Sequence, residues 1–146
     1  MSLFDALAIS SSGLAAQRTR IQLLIENVAN SETTRTPEGG PYRRRDAIFT
    51  SEPLPTSFQA VLSGNLGEPL AGVRVAEVTV DDRSPDRRYL PGHPDADAEG
   101  YVSFPRINPV EDMVDLTAAV RSYQANLAAM GAAKDMMRRS LDLVRS

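Results

Sequence analysis

Apolar positions at the two ends of this chain recur in steps of three and four, whereas those in the middle do not. Leu7, Leu14, Ile21 and Val28 repeat every seven residues, with Leu3 and Leu24 three positions out of phase, so residues 2–29 are predicted to form one helix with a heptad stripe. Ser10 and Gln17 interrupt the second row and leave the seam imperfect. Ser2 and Asp5 have the spacing of a capping box, with Asp replacing the usual Glu or Gln. Asn27 and Asn30 supply a stop, because Asn tolerates the left-handed cap conformation. At about 1.5 Å per residue this rod is roughly 40 Å long.

Residues 109–146 carry the strongest pattern. Asn108 can cap, Pro109 suits the first helical position, and Glu111 completes the box while favouring the positive helix end. Met113, Leu116, Val120, Tyr123, Leu127, Met130, Lys134, Met137, Leu141 and Val144 then alternate in steps of three and four, with Lys134 the single polar member. Arg138, Arg139 and Arg145 gather at the end where the helix dipole is negative. Residues 30–108 hold nine of the ten prolines and seven of the nine glycines, which predicts turns and short strands. The strand expected at 73–80 puts Val73 and Val75 on one phase and Val78 and Val80 on the other, implying a bulge or burial on both faces. Residues 46–50 and 101–104 are further strand candidates, and 51–71, with three prolines and two glycines, reads as a loop. The expected fold is mainly α with a small β insert. A helix in 1–30 and a helix in 109–146 pack as a coiled-coil-like pair in one helical domain, around a turn-rich, β-containing insert at 31–108.

The residues beside the second stripe extend this picture. A free-standing two-stranded coiled coil carries Glu and Lys there. Here one flank is Thr117, Gln124, Gly131 and Arg138 and the other is Ala119, Asn126, Ala133 and Ser140, so seven of eight are uncharged. Helix propensity is one explanation. The other is that the flanks face more helices, approaching closely over Ala125, Ala129 and Ala132, in a multi-subunit bundle. Gly13 costs about 1 kcal/mol relative to Ala inside a helix; it is either tolerated or marks close helix approach beside residues 10–12, Ala15 and Ala16. Four of the five methionines lie in the second helix at heptad spacing and read as core filling rather than metal contacts.

Composition narrows the chemistry. In 146 residues there is no Cys and one His, so disulfides, Cys-based metal sites, Cys nucleophiles and multi-His sites are excluded. A net charge of −3 argues against a protein built to grip nucleic acid. Neither a secretory leader nor an apolar run of about 18 residues is present, so no direct membrane insertion is expected. Asp95, Asp97, Glu99 and Gly100 mimic the start of a calcium loop, but position twelve is Arg106, and the alternative is a capped acidic turn. His93, between Gly92 and Pro94, reads as a solvent-facing loop residue. The basic run Arg43, Arg44 and Arg45 reads as a solvated loop or a salt-bridged subunit contact rather than a phosphate site. No catalytic residue, metal site or cofactor is expected, and the chain is not read as an enzyme.

Ser12-Gly13-Leu14-Ala15-Ala16, followed by Asn27-Val28-Ala29-Asn30-Ser31-Glu32-Thr33, resembles the N-terminal signature of bacterial flagellar rod, hook and hook-associated proteins. Tyr89-Leu90-Pro91-Gly92-His93-Pro94, Ala96-Asp97 and Gly100-Tyr101-Val102 are similar to proximal-rod members of the basal-body rod family. So are Glu111-Asp112-Met113-Val114 and Arg121-Ser122-Tyr123-Gln124-Ala125-Asn126-Leu127. Residues 51–71 are longer than that family's usual connection. The resemblance implies a structural subunit of the flagellar basal body, in the rod spanning the periplasm, exported by the flagellar type III apparatus without a cleaved signal peptide. It implies helical stacking through the terminal helices to carry torque from motor to hook. Those terminal segments would be partly disordered in the free subunit and fold on assembly. The implied partners are further copies, other proximal- and distal-rod proteins, the rod adaptor and the MS-ring. The packing positions are then Leu7, Leu14, Ile21, Leu24 and Val28 in the first helix. In the second they are Met113, Leu116, Val120, Tyr123, Leu127, Met130, Met137 and Leu141. Asn27, Asn30 and Thr33 shape the exit from the first helix. The rival reading is a cytoplasmic coiled-coil adaptor or scaffold.

Overall fold

The computed structural model describes residues 3–54 and 70–145. The elements run α1 (Leu3–Ala29), β1 (Arg45–Pro53), β2 (Ala71–Val80), β3 (Asp86–Tyr89), β4 (Tyr101–Phe104) and α2 (Pro109–Arg145). This is the expected architecture: two long terminal helices and a small β insert. Ser2 of the expected capping box and most of the expected loop at 51–71 lie outside the described residues. Residues 51–53, counted in that loop, belong to β1.

At the start of α2, Asn108 Oδ1 accepts from Val110 N at 3.2 Å, the cap expected there. The end of α1 differs from expectation. No non-glycine residue among those described has a positive φ, so no Asn supplies a left-handed cap. Instead Asn30 turns back on the helix: its main-chain N and its Nδ2 both donate to the Glu26 carbonyl, at 3.0 and 2.9 Å. Two donors satisfy one of the orphan carbonyls that a helix end leaves.

β1 and β2 form one two-stranded sheet, and β3 and β4 form another. In the first, Asp81 N donates to Arg44 O and Leu54 N donates to Leu70 O, both at 2.8 Å. Nine residues lie between Arg44 and Leu54, while ten lie between Leu70 and Asp81. One extra residue on the β2 side is the mark of a β-bulge. The alternative of burial on both faces fails, since Val78 and Val80 are exposed. In the second sheet Asp86 pairs with Phe104 and Tyr89 with Tyr101, antiparallel.

Among the described residues the packing forms two compact units: 3–19, 49–54, 70–76 and 120–145 in one, Arg20–Ile48 and Glu77–Ala119 in the other. In the first unit Ala16 and Ala133 are buried. In the second the core is Leu23, Leu24, Asn27, Val102, Phe104, Asp112 and Ala119. No described helix is long and apolar enough to cross a membrane.

Candidate assembly face and its anchors

Several residues of the N-terminal signature tie α1 to the rest of its unit. In the first unit a Cβ on Gly13 would lie 3.0 Å from Asn126 Nδ2, so the glycine admits α2 at close range. At the adjacent residue, Ser12 Oγ donates to Ile9 O at 2.7 Å and accepts from Val73 N at 3.1 Å, joining the helix to β2. A Cβ on Gly72 would come within 2.7 Å of that same oxygen, so the strand approaches there because Gly72 has no side chain. Gln17, where the heptad row breaks, keeps a buried Oε1 with no hydrogen-bond partner.

In the second unit the anchor is Asn27, 0% exposed. Its Nδ2 donates to Arg45 O at 2.8 Å, while its Oδ1 accepts from Arg45 N at 3.0 Å and from Tyr42 Oη at 3.1 Å. One amide thus mimics a strand partner for the start of β1. Burial raises the Tyr42 phenol above its usual value, opposed by the Arg45 charge and aided by Glu26 and Asp112. Thr33 completes the exit: its Oγ1 donates to Asn30 Oδ1 at 3.1 Å, and its carbonyl accepts from Tyr42 N at 3.0 Å.

The basic run is solvated at Arg43 and Arg45, which are exposed, while Arg44 is half-buried. Each arginine pairs with a carboxylate of its own chain: Arg43 with Asp82 at 3.3 Å, Arg44 with Asp112 at 3.0 Å and Asp46 at 3.2 Å, and Arg45 with Glu26 at 4.0 Å. Three successive side chains fasten the segment to different neighbours. Asp112 is 0% exposed, and neither carboxylate oxygen makes an aligned hydrogen bond despite the Arg44 ion pair. Burial therefore raises its carboxyl above the usual range, with Arg44 pulling the other way and Asp46, Asp115 and Glu111 adding to the rise.

The acidic turn after β3 is capped. Asp97 Oδ1 accepts from Glu99 N at 3.0 Å and Tyr101 N at 2.8 Å, and its Oδ2 takes Arg87. Thr34 Oγ1 donates to Asp95 at 2.8 Å. His93 is half-buried rather than solvent-facing: Nδ1 accepts from Asp95 N, and its ring packs against Phe104.

The expected packing residues divide into two groups. In α1 Leu24 is buried, and Leu7, Leu14, Ile21 and Val28 are half-buried. In α2 Leu116, Tyr123, Met130 and Met137 are half-buried, whereas Met113, Val120, Leu127 and Leu141 are exposed, Leu127 at 55%. The inward row of α2 sits one residue earlier, at Asp112, Ala119, half-buried Asn126 and Ala133. Part of the small, uncharged flank thus faces inward within one chain, and the large apolar row faces out. On α1 the outward row Phe4, Ala8, Ser11, Ala15, Arg18, Gln22, Ile25 and Ala29 also keeps strict heptad spacing. Sequence reasoning missed Ser12, Arg44 and Asp112 as anchors, because each acts on a residue more than sixty positions away.

Residues 98–143 match the family model for the C-terminal region of flagellar basal body rod FlgEFG proteins. Over nearly the whole chain the sequence is similar to proteins named flagellar basal-body rod protein FlgC. It is 38% identical to that of Borreliella burgdorferi, covering 99% of each chain. It is 40% identical to that of Bacillus subtilis, covering 98% of this chain and 99% of the relative. Against that of Salmonella typhimurium it is 36% identical over 98% of both.

Proposed function

Because the chain belongs to the FlgC family of flagellar basal-body rod proteins, we propose that its exposed helical rows are the contacts by which copies stack along the rod axis. It is a structural subunit of the bacterial flagellar basal-body rod and assembles with other rod components. Its relatives are rod proteins rather than enzymes, and we assign it no catalytic role. The helices of 1–30 and 109–146 act as one axial domain, with the insert at 31–108 carried beside it. The observation that carries this reading is the outward row Met113, Val120, Leu127 and Leu141 on α2. A monomer with no helical neighbour leaves that row wet, at about 25 cal/mol per Å² of apolar surface.

Leu7, Leu14, Ile21, Leu24 and Val28, with Leu116, Tyr123, Met130 and Met137, hold the pair of helices that presents the row. Asn27, Asn30 and Thr33 fix where the pair leaves the insert. A repeated heterologous contact builds an open helical filament, and many parallel contacts in a close-packed wall transmit strain, which suits torque transmission from motor to hook. The proposed neighbours are proximal- and distal-rod proteins, the rod adaptor and the MS-ring, with delivery by the flagellar type III apparatus. The test is to tag the chain, extract basal bodies with detergent and assay the rod fraction. Recovery there, lost on deleting α1, is expected; a chain found only in the soluble cytoplasm refutes the reading and favours an adaptor.

A further inference from the structure

The turn at residues 91–97, in the second unit, takes no part in the helical rows. It carries the chain's single histidine, His93, and imidazole is the side chain whose charge ordinarily changes between about pH 5 and 8. His93 Nδ1 accepts from Asp95 N at 3.1 Å, which requires that nitrogen to be unprotonated. Two main-chain bonds, from His93 N to Leu90 O and from Ala96 N to His93 O, hold the turn around the ring, both at 3.0 Å. The ring is half-buried, so protons from solvent reach it.

The Asp95 carboxylate has three neighbours. Its Oδ2 accepts from Thr34 Oγ1 at 2.8 Å, a bond that ties the turn to the segment following α1, and lies 4.0 Å from His93 Nδ1. Arg35 approaches Oδ1 only at 3.8 Å, with its own side chain 80% exposed. Thr34 is therefore the partner that holds the carboxylate. The remaining charges near the ring are Arg88 of β3 and Asp97 of the turn itself. The Arg88 guanidinium lies over the Phe104 ring, 4.7 Å from its centre, and His93 packs edge-on to that same ring at 6.3 Å. Asp97 is taken up by Arg87 and by the amides of Glu99 and Tyr101.

A proton on Nδ1 turns an acceptor into a donor. The Asp95 amide then faces a second donor and loses its partner, while the Asp95 carboxylate becomes the nearest acceptor for the ring. A charge-assisted N–H···O bond is about 2.7–2.9 Å long, so Oδ2 and Nδ1 must close by roughly an ångström. We infer that His93 is a proton-operated switch that moves the Asp95 carboxylate from Thr34 to the imidazolium and so releases the 91–97 turn from the segment following α1. The exit of α1 is thus held twice. Asn27 holds it to β1 through an amide with no proton to gain, and Thr34 holds it through a bond that a mildly acid medium opens. The inference concerns the chain itself and does not depend on the rod assignment.

The experiment follows the full-length chain by NMR from about pH 8 to about pH 5. The Thr34 methyl and Asp95 amide resonances are expected to shift with the midpoint that the His93 ring protons report. Amide exchange at Asp95, corrected for the intrinsic effect of pH, should rise roughly tenfold over the same range. In His93→Gln, which gains no proton there, both resonances should stay flat. In Asp95→Asn the amide of residue 95 should still respond, while the Thr34 methyl should not, because the ring has lost its charged acceptor. A Thr34 methyl that stays still while His93 titrates overturns the switch. So does a Thr34 response that survives either substitution, which assigns it to another group. An Asp95 amide already unprotected at the alkaline end also overturns it, since the bond the switch starts from is then absent.

Discussion

Replacing Asn27 by Ala removes one side chain and orphans three groups. Arg45 N loses its acceptor, Arg45 O loses its donor, and the Tyr42 hydroxyl loses the oxygen it donates to. A polar group left unpaired in a buried site costs about 1–3 kcal/mol. Tyr42 is half-buried and Arg45 has an exposed side chain, so water reaches part of the gap and the low end applies. Three groups at about 1 kcal/mol each give a loss of about 3 kcal/mol, a large fraction of the roughly 5–15 kcal/mol that holds a domain folded. With a urea m-value of about 2 kcal/mol per M, the unfolding midpoint falls by about 1.5 M. Tyr42→Phe removes only one bond and costs about 1 kcal/mol, and the pair of substitutions is sub-additive by a similar amount. Circular dichroism in urea measures the midpoints, and hydrogen exchange at the Arg45 amide reports the local bond. If Asn27→Ala costs no more than Tyr42→Phe, or leaves the Arg45 amide protected, the amide is not the anchor described.

Leu127→Asp is expected to leave the isolated chain within about 0.5 kcal/mol of wild type, because Leu127 is exposed, yet to abolish rod incorporation and swimming; normal motility on soft agar counts against the outward row. Gly72→Ala forces a methyl to within 2.7 Å of Ser12 Oγ and should cost about 1–3 kcal/mol, with Ser12→Gly restoring part of it; additive losses in denaturant midpoint contradict the clash. For Asp112 the folded carboxyl binds its proton more tightly than the unfolded one, so its contribution favours folding at low pH and fades as pH rises from about 3.8 through the raised folded value. Asp112→Asn should therefore gain stability relative to wild type as pH rises across that window, and a constant difference refutes the assignment. Asp81 behaves in the opposite sense: side-chain hydrogen bonds from Arg83 hold it at about 2, so its contribution is present above 3.8 and lost on acidification toward about 2. Arg83→Met should raise its NMR titration toward the ordinary carboxylate range but not into it, because the residue 83 N–H and the Arg106 charge still favour the carboxylate.

The helices were legible in the sequence because burial on one side imposes a period of 3.6 whatever lies opposite. Periodicity does not say which of two adjacent rows points inward. In the first unit Gly13 brings Asn126 close, and Asn126 and Ala133 face inward there. β3 left no signal, since Asp86-Arg87-Arg88-Tyr89 has no apolar alternation and all four residues are exposed. It exists because β4 supplies a ladder and two rings, with Arg87 over Tyr101 and Arg88 over Phe104. The signature residues Asn27, Asn30 and Thr33 were visible as a group, yet the partners of Asn27 lie 15 and 18 positions away. A short polar motif carries no information about what it will bind at that distance.

Placing small side chains inside and large apolar ones outside bears on turnover. A subunit whose core sets Ala16, Ala119 and Ala133 beside only a few larger apolar side chains, Leu23, Leu24, Val102 and Phe104, draws only part of its stability from itself. It gains the rest by mass action from its neighbours, since whatever binds only the folded form stabilises it. Copies in surplus over available rod sites then spend more time open and fall first to proteases. The number of subunits kept is set by the number of places to put them, without a separate device for counting.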